Sequence, residues 1–170
     1  RVRSSAASDV YKRQGQVIVP TGGGKTICMI QDAIEQFKSD RLKTIVVVAP
    51  RILLANQLCE EFLEFIDDVD VLHVHSGETH HDSTTKSQKI EEWHWKSRRN
   101  QLIFTTYHSL HKIQGATAML PDTVYFDEAH NAVQKNFIEA VEHHSMYVVR
   151  NFFFTATPKH SFTPFKTGMN

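Results

Sequence analysis

Long apolar runs are missing from this sequence. No stretch approaches the ~18 consecutive apolar residues that suggest a membrane span, so no membrane contact is expected. The N-terminal residues are polar and lack the apolar centre of a secretory signal. Cysteine is scarce: Cys28 and Cys59 are the two. They lie far apart on stretches that read as helices, match no metal spacing and need no disulfide. A reducing cytoplasm is the compartment this usage implies. Internal repeats and low-complexity tracts are absent as well. So is an excess of charge of one sign, since 19 basic residues face 19 acidic ones. That balance argues against a basic, charge-driven nucleic-acid binder. Any such contact has to come from local groups or from a partner domain.

What is present is a globular composition, 41% hydrophobic and 22% charged, over 170 residues, enough for one ordinary domain and too few for two. The first residues stand apart. Ser4–Gln14 reads SSAASDVYKRQ and resembles an in-frame translation of a transposase-type sequencing adaptor. Arg1–Gln14 is therefore expected to be a non-native segment, with the biological sequence starting near Gly15. Setting it aside removes Arg1, Arg3, Lys12 and Arg13 against Asp9 and leaves a net charge of −3.

From there the chain alternates short β-branched runs with helical periodicity. Gln16–Val19 reads as a short strand. Lys25–Phe37 carries Ile27, Ile30, Ile34 and Phe37 at spacings of three and four, one face of a helix. Thr44–Ala49 (TIVVVA) is nearly all apolar, as a strand buried on both sides should be. Ile52–Ile66 places Leu54, Leu58, Phe62 and Phe65 on one helical stripe. Val69–Val74, Gln101–Thr105, Thr123–Phe126 and Asn151–Phe154 supply further strands. Strand followed by helix, repeated, predicts an α/β fold with a mostly parallel sheet and helices on both faces. Ser76–Asn100 interrupts the pattern: it is polar and predicts a loop plus an exposed helix near Lys86–Lys96.

Two motifs carry chemistry. Val19–Thr26 reads VPTGGGKT, follows a strand and opens an amphipathic helix, the context a phosphate loop requires. Pro20, Thr21, Gly22, Gly23 and Gly24 let the backbone curl so that several N–H groups point at one anion. The helix N-terminus adds partial positive charge. Lys25 is placed to reach the β and γ phosphates of ATP, and Thr26 to put its hydroxyl on Mg2+. Asp127–His130 reads DEAH directly after a strand, where ligands bind in parallel sheets. Asp127 is expected to hold the magnesium ion, and Glu128 to orient and activate the attacking water.

Three further segments follow strands and offer hydroxyls, amides and backbone N–H groups: Ala49–Gln57 (APRILLANQ), Phe104–Leu110 (FTTYHSL) and the TATP that ends Asn151–Pro158. In the order PTGGGKT, APRILLANQ, FTTYHSL, DEAH, TATP, the sequence resembles the first RecA-like motor domain of superfamily 2 DEAD/DEAH-type helicases and translocases. Within them it is most similar to the bacterial and phage group that holds restriction-enzyme motor subunits (ResIII) and phage DNA helicases. The resemblance covers Gly15–Pro158. It implies a P-loop NTPase domain in which Lys25, Asp127 and Glu128 are catalytic. His130, Thr155 and Thr157 would couple nucleotide state to movement, and Arg51, Thr105, Thr106 and His108 would track a nucleic-acid backbone. Such contacts read phosphates and imply little sequence preference. The family departs from this chain at Val19, where Gly or Ala is usual.

The resemblance implies ATP and Mg2+ as cofactors and DNA, ahead of RNA, as partner. It also implies a second RecA-like domain, before which residues 15–170 are expected to be truncated; ATP hydrolysis by this segment alone is then expected to be weak. An RNA helicase and a nucleotide-dependent, non-catalytic clamp stay open as alternatives. His73, His75, His80 and His81 crowd near one strand end; a metal site is the alternative there, but no second ligand cluster has zinc spacing, and a polar loop is the expectation. Trp93 and Trp95 flank His94 in the charged helix, where partial burial is expected over base stacking.

Overall fold

The structure is a computed structural model that describes residues 13–18, 24–79, 81–129 and 150–155; for 13–18 and Thr155 it describes the backbone. Seven strands form one sheet in the order β1-β7-β6-β2-β5-β3-β4. They are β1 (Arg13–Ile18), β2 (Thr44–Ala49), β3 (Val69–Val74), β4 (Asp82–Ser83), β5 (Asn100–Thr106), β6 (Thr123–Phe126) and β7 (Arg150–Thr155). Every pairing is parallel. The helices are α1 (Gly24–Phe37), α2 (Ile52–Phe65), α3 (Ser87–Lys96) and α4 (Leu110–Gly115).

The all-apolar strands are explained by burial on both faces. On β2, Ile45, Val47 and Ala49 join Met29 and Ala33 of α1 and Ala55 and Phe62 of α2 in one core. Val46 and Val48 point the other way, into a second core with Ile90 of α3 and Leu110 and Ile113 of α4. The run Phe152–Phe154 divides in the same manner: Phe152 and Phe154 serve the first core, Phe153 the second. The period of two along a strand makes this division. Hence the sheet is an α/β layer with helices on both faces, as expected.

The helical faces differ from the expected stripes. On α1 the buried residues are Thr26, Met29, Ile30, Ala33 and Gln36, while Ile27 is exposed. On α2 they are Ala55, Leu58, Cys59 and Phe62, while Phe65 is exposed. Small residues decide this. Ala33, Ala55 and Cys59 let the helix axes approach the sheet closely, and neighbouring large side chains then fall at the rim. Two elements were not expected: the two-residue β4, which adds to the sheet edge by pairing Leu72 with Asp82 and His73 with Ser83, and the short α4.

The strand β1 begins at Arg13, within the segment that resembles an adaptor, and pairs with β7 from Arg150 onward. Such pairing uses backbone N–H and C=O groups, which any residue but proline supplies. No helix among the described residues is long and apolar enough to cross a membrane.

Candidate nucleotide site

The parallel sheet gathers the ends of its strands on one edge. β1 leads toward α1, which begins at Gly24. Among the described residues, a Cβ built on Gly24 would meet no atom within 4 Å. One residue on, the Lys25 ammonium lies 2.5 Å from Glu128 Oε2 and 3.1 Å from Asp127 Oδ1. This joins the two motifs across 103 residues of sequence. Burial works against the Lys25 charge, yet the Glu128 hydrogen bond and the Asp127 charge outweigh it, so the Lys25 pKa stands above its ordinary value. Thr26 is buried beside it.

Asp127 is held from both sides. Its N–H donates to the Val48 carbonyl at 2.8 Å, extending the β6–β2 ladder by one residue. Its own carbonyl accepts the Tyr107 hydroxyl at 2.8 Å. The side chain is almost fully buried, and its Oδ1 faces the Lys25 ammonium at 3.1 Å. Burial pushes its carboxyl pKa up, and the Lys25 charge pulls it back only in part. A buried carboxylate beside Lys25 and Thr26 has the oxygen chemistry that a hard divalent ion takes. Glu128 then takes a left-handed backbone turn, φ 50°. Non-glycine residues seldom hold that conformation, and where they do it clusters at working sites.

The expected nucleic-acid residues lie at the ends of the neighbouring strands β2 and β5, where Ala49 pairs with Thr106. Arg51 is exposed at the N-terminal cap of α2, and His108 is exposed beyond β5. Thr106 is buried, and its hydroxyl accepts the Ser109 N–H at 3.2 Å. Thr105 is turned fully inward, its hydroxyl donating to the Val74 carbonyl at 2.8 Å. Its side chain therefore braces β3 against β5. Of the remaining expected site residues, Thr155 ends β7 opposite Ile18. Pro20, Thr21, Gly22, Gly23, His130 and Thr157 lie outside the described residues.

A second cluster forms where the sequence crowds its histidines. His73 and His75 are not in a polar loop: both are buried, on and just after β3, with His73 Nδ1 3.0 Å from His75 Nε2. The Gly77 N–H donates to His75 Nδ1 at 3.1 Å. His80 lies outside the described residues. Burial and the neighbouring His75 and His81 hold the His73 imidazole neutral, its pKa lowered to about 4. Cys59 of α2 reaches the same place, which no spacing in the chain announces. Its thiol is pushed up to about 12 by burial and by Glu60. Both cysteines are free thiols, as expected. The two tryptophans part company: Trp93 packs against the second core, while Trp95 is exposed.

A profile of the family described as "Type III restriction enzyme, res subunit" matches residues 3–160. No curated protein sequence matches the chain. Among solved structures, it is similar to a nuclease-deletion mutant of the Type ISP restriction-modification enzyme LlaGI in complex with a DNA substrate mimic. That match has 21% identity and a TM-score of 0.72, over 89% of this chain and 16% of that one. It is also similar to the ATP-dependent Type ISP enzyme LlaBIII bound to DNA, at 22% identity and TM-score 0.67, over 89% of this chain and 12% of that one. The helicase domain of Pyrococcus furiosus Hef matches at 18% identity and TM-score 0.62, over 88% of this chain and 30% of that one. The chain thus spans under a third of each of these three solved chains. The profile match and the shared fold together establish that this chain belongs to the res-subunit (ResIII) family and is a superfamily 2, RecA-like motor domain.

Proposed function

We propose that this domain binds Mg2+-ATP between the Pro20–Thr26 loop and the Asp127–Glu128 pair, and that hydrolysis there drives movement along DNA. The observation that carries the reading is the Lys25 ammonium within ion-pair distance of both carboxylates. A lysine at a helix N-terminus facing two acids is a phosphate ligand standing beside its metal ligands. Lys25 would hold the phosphates, and Thr26 and Asp127 the magnesium. Glu128, less buried than Asp127, would accept the proton of the attacking water. The bound ion would supply charge neutralisation at the phosphates. Until nucleotide arrives, the Lys25 ion pairs keep two acids from facing each other uncompensated.

Arg51 and His108 make up the exposed part of the proposed DNA-tracking face, with Thr105 and Thr106 behind it as supports. His130, Thr155 and Thr157 are the proposed coupling residues. The second motor domain typical of the family is the proposed partner that completes the site with arginines. The LlaGI structure is a complex with a DNA substrate mimic, and LlaBIII is ATP-dependent and bound to DNA; these neighbours favour DNA over RNA here. The test is ATP turnover by the full-length enzyme with duplex DNA or with RNA. DNA is expected to raise turnover at least tenfold over the nucleic-acid-free rate, and RNA to leave it near that rate. The reverse would move the protein to the RNA helicases. Binding of ATP with no turnover in either case would make it a nucleotide-dependent clamp.

A further inference from the structure

We propose that Cys59, His73 and His81 form a binding site for one transition-metal ion of the zinc type, separate from the nucleotide site. The three residues come from three places in the fold: α2, β3 and the residue just before β4. One ligand atom from each lies within 4.8 Å of the others. A tetrahedral zinc site brings such atoms to about 3.5 Å apart, given metal–ligand bonds of about 2.0–2.3 Å. Each side chain would therefore close by about an ångström.

Three observations support the site. First, His73 is fully buried, and its Nε2 has no hydrogen-bond partner among the described residues. A buried nitrogen left unpaired is uncommon in a native interior and calls for an explanation. Second, the donor set is one sulfur and two imidazoles. Those ligands select zinc and its neighbours over magnesium or calcium, which prefer oxygen. Third, the cluster borders an open cavity of about 930 Å³ between α2 and the β3–β4 connection, and His81 is only partly buried. An ion has a way in, and three protein ligands leave one coordination position free.

His75 acts as the positioning residue. A ligating histidine donates its second N–H to a fixed acceptor, and His75 Nε2 stands 3.0 Å from His73 Nδ1. In the metal-free arrangement the Gly77 N–H occupies His75 Nδ1. His75 then donates to His73, whose own proton sits on Nε2. With the metal on Nε2 that proton sits on Nδ1 and donates to His75 Nε2, and the His75 proton moves to its Nδ1, which breaks the hydrogen bond from Gly77. The Cys59 thiol proton leaves to solvent as the sulfur–metal bond forms, with no change of oxidation state. Through Cys59 and His81 the ion would tie α2 to the residue that leads into β4.

The test is a cobalt(II) titration of the 170-residue chain, cobalt serving as the spectroscopic stand-in for zinc. One equivalent is expected to produce a thiolate-to-cobalt charge-transfer band, which zinc then abolishes by displacement. Cys59→Ser should remove the band. His81→Ala, at a partly exposed position outside the helices and strands, should weaken binding at least tenfold while the far-ultraviolet circular dichroism stays unchanged. The absence of a thiolate band in the wild type overturns the site. So does a band that survives Cys59→Ser, since the sulfur would then be Cys28, and so does unaltered affinity in a folded His81→Ala protein. The magnesium–nucleotide site offers oxygen ligands and gives no thiolate band, so failure here leaves the nucleotide reading standing.

Discussion

The backbone of Glu128 is left-handed, at φ 50°, and that conformation costs a non-glycine residue of order 1–3 kcal/mol. The neighbouring contacts hold it there. Asp127 is fastened to β2 by its N–H and to Tyr107 by its carbonyl, and Lys25 pairs with the Glu128 carboxylate. Removing one fastening shows what it contributes. Tyr107→Phe deletes the hydroxyl that donates to the Asp127 carbonyl and keeps the ring stacked on Phe126. A loss of about 1 kcal/mol is expected in urea unfolding, with the affinity for Mg2+-ATP reduced several-fold. Unchanged affinity would show that Tyr107 does not hold the acidic pair in place. At this scale the two motifs that meet at Lys25, Asp127 and Glu128 were legible. GGGKT and DEAH are each local in sequence, and their chemistry follows from residue type and from the strand–loop–helix context. The Cys59, His73 and His81 cluster was not legible, because only the packing of α2 on β3 and β4 brings them together. Nor was the inward turn of Thr105, since a strand-end threonine reads the same whether its hydroxyl meets solvent or a neighbouring carbonyl.

The helix α1 carries Lys25, the proposed phosphate ligand, so its seating on the sheet matters to the candidate site. A polar network fixes it. The Tyr125 hydroxyl donates to the Asp32 carboxylate in a short hydrogen bond. Gln36 donates to Asp32 at 2.8 Å and accepts the Thr123 hydroxyl at 2.8 Å. Arg150 lies 3.1 Å from Asp32 and over the Phe152 ring. One helix is thus tied to β6 and β7 by buried and half-buried polar groups, each satisfying another. Tyr125→Phe leaves Asp32 with Gln36 and Arg150 but without its hydroxyl donor, and costs about 2 kcal/mol, the range for hydrogen bonds to charged groups. Thermal or urea unfolding checks it; a neutral effect would mean that Gln36 and Arg150 alone seat α1. Element existence was readable from periodicity, and the six longer strands and three longer helices fall within a few residues of their expected bounds. Helix orientation was not. On α1 and α2 two apolar stripes overlap, and the choice between them depends on which small residues face the sheet. The two-residue β4 has no sequence signal at all, because it exists only as an addition to the edge of β3.

Across the whole molecule, one parallel sheet with helices on both faces sets the two proposed surfaces along a single edge. The proposed nucleotide ligands Lys25, Asp127 and Glu128 follow β1 and β6, and the exposed Arg51 and His108 follow β2 and β5. β2 lies between β6 and β5, so the surfaces are adjacent and share a strand. On the proposed reading, a change at the phosphates would have a short path to a bound strand. The central claim remains the nucleotide grip of Lys25. The direct measurement is equilibrium binding of a fluorescent ATP analogue with magnesium to the wild-type chain and to Lys25→Ala. The account predicts saturable, magnesium-dependent binding to the wild type and at least a tenfold weakening in a folded Lys25→Ala protein, a difference of about 1.4 kcal/mol or more. Equal affinity in the two proteins would contradict it.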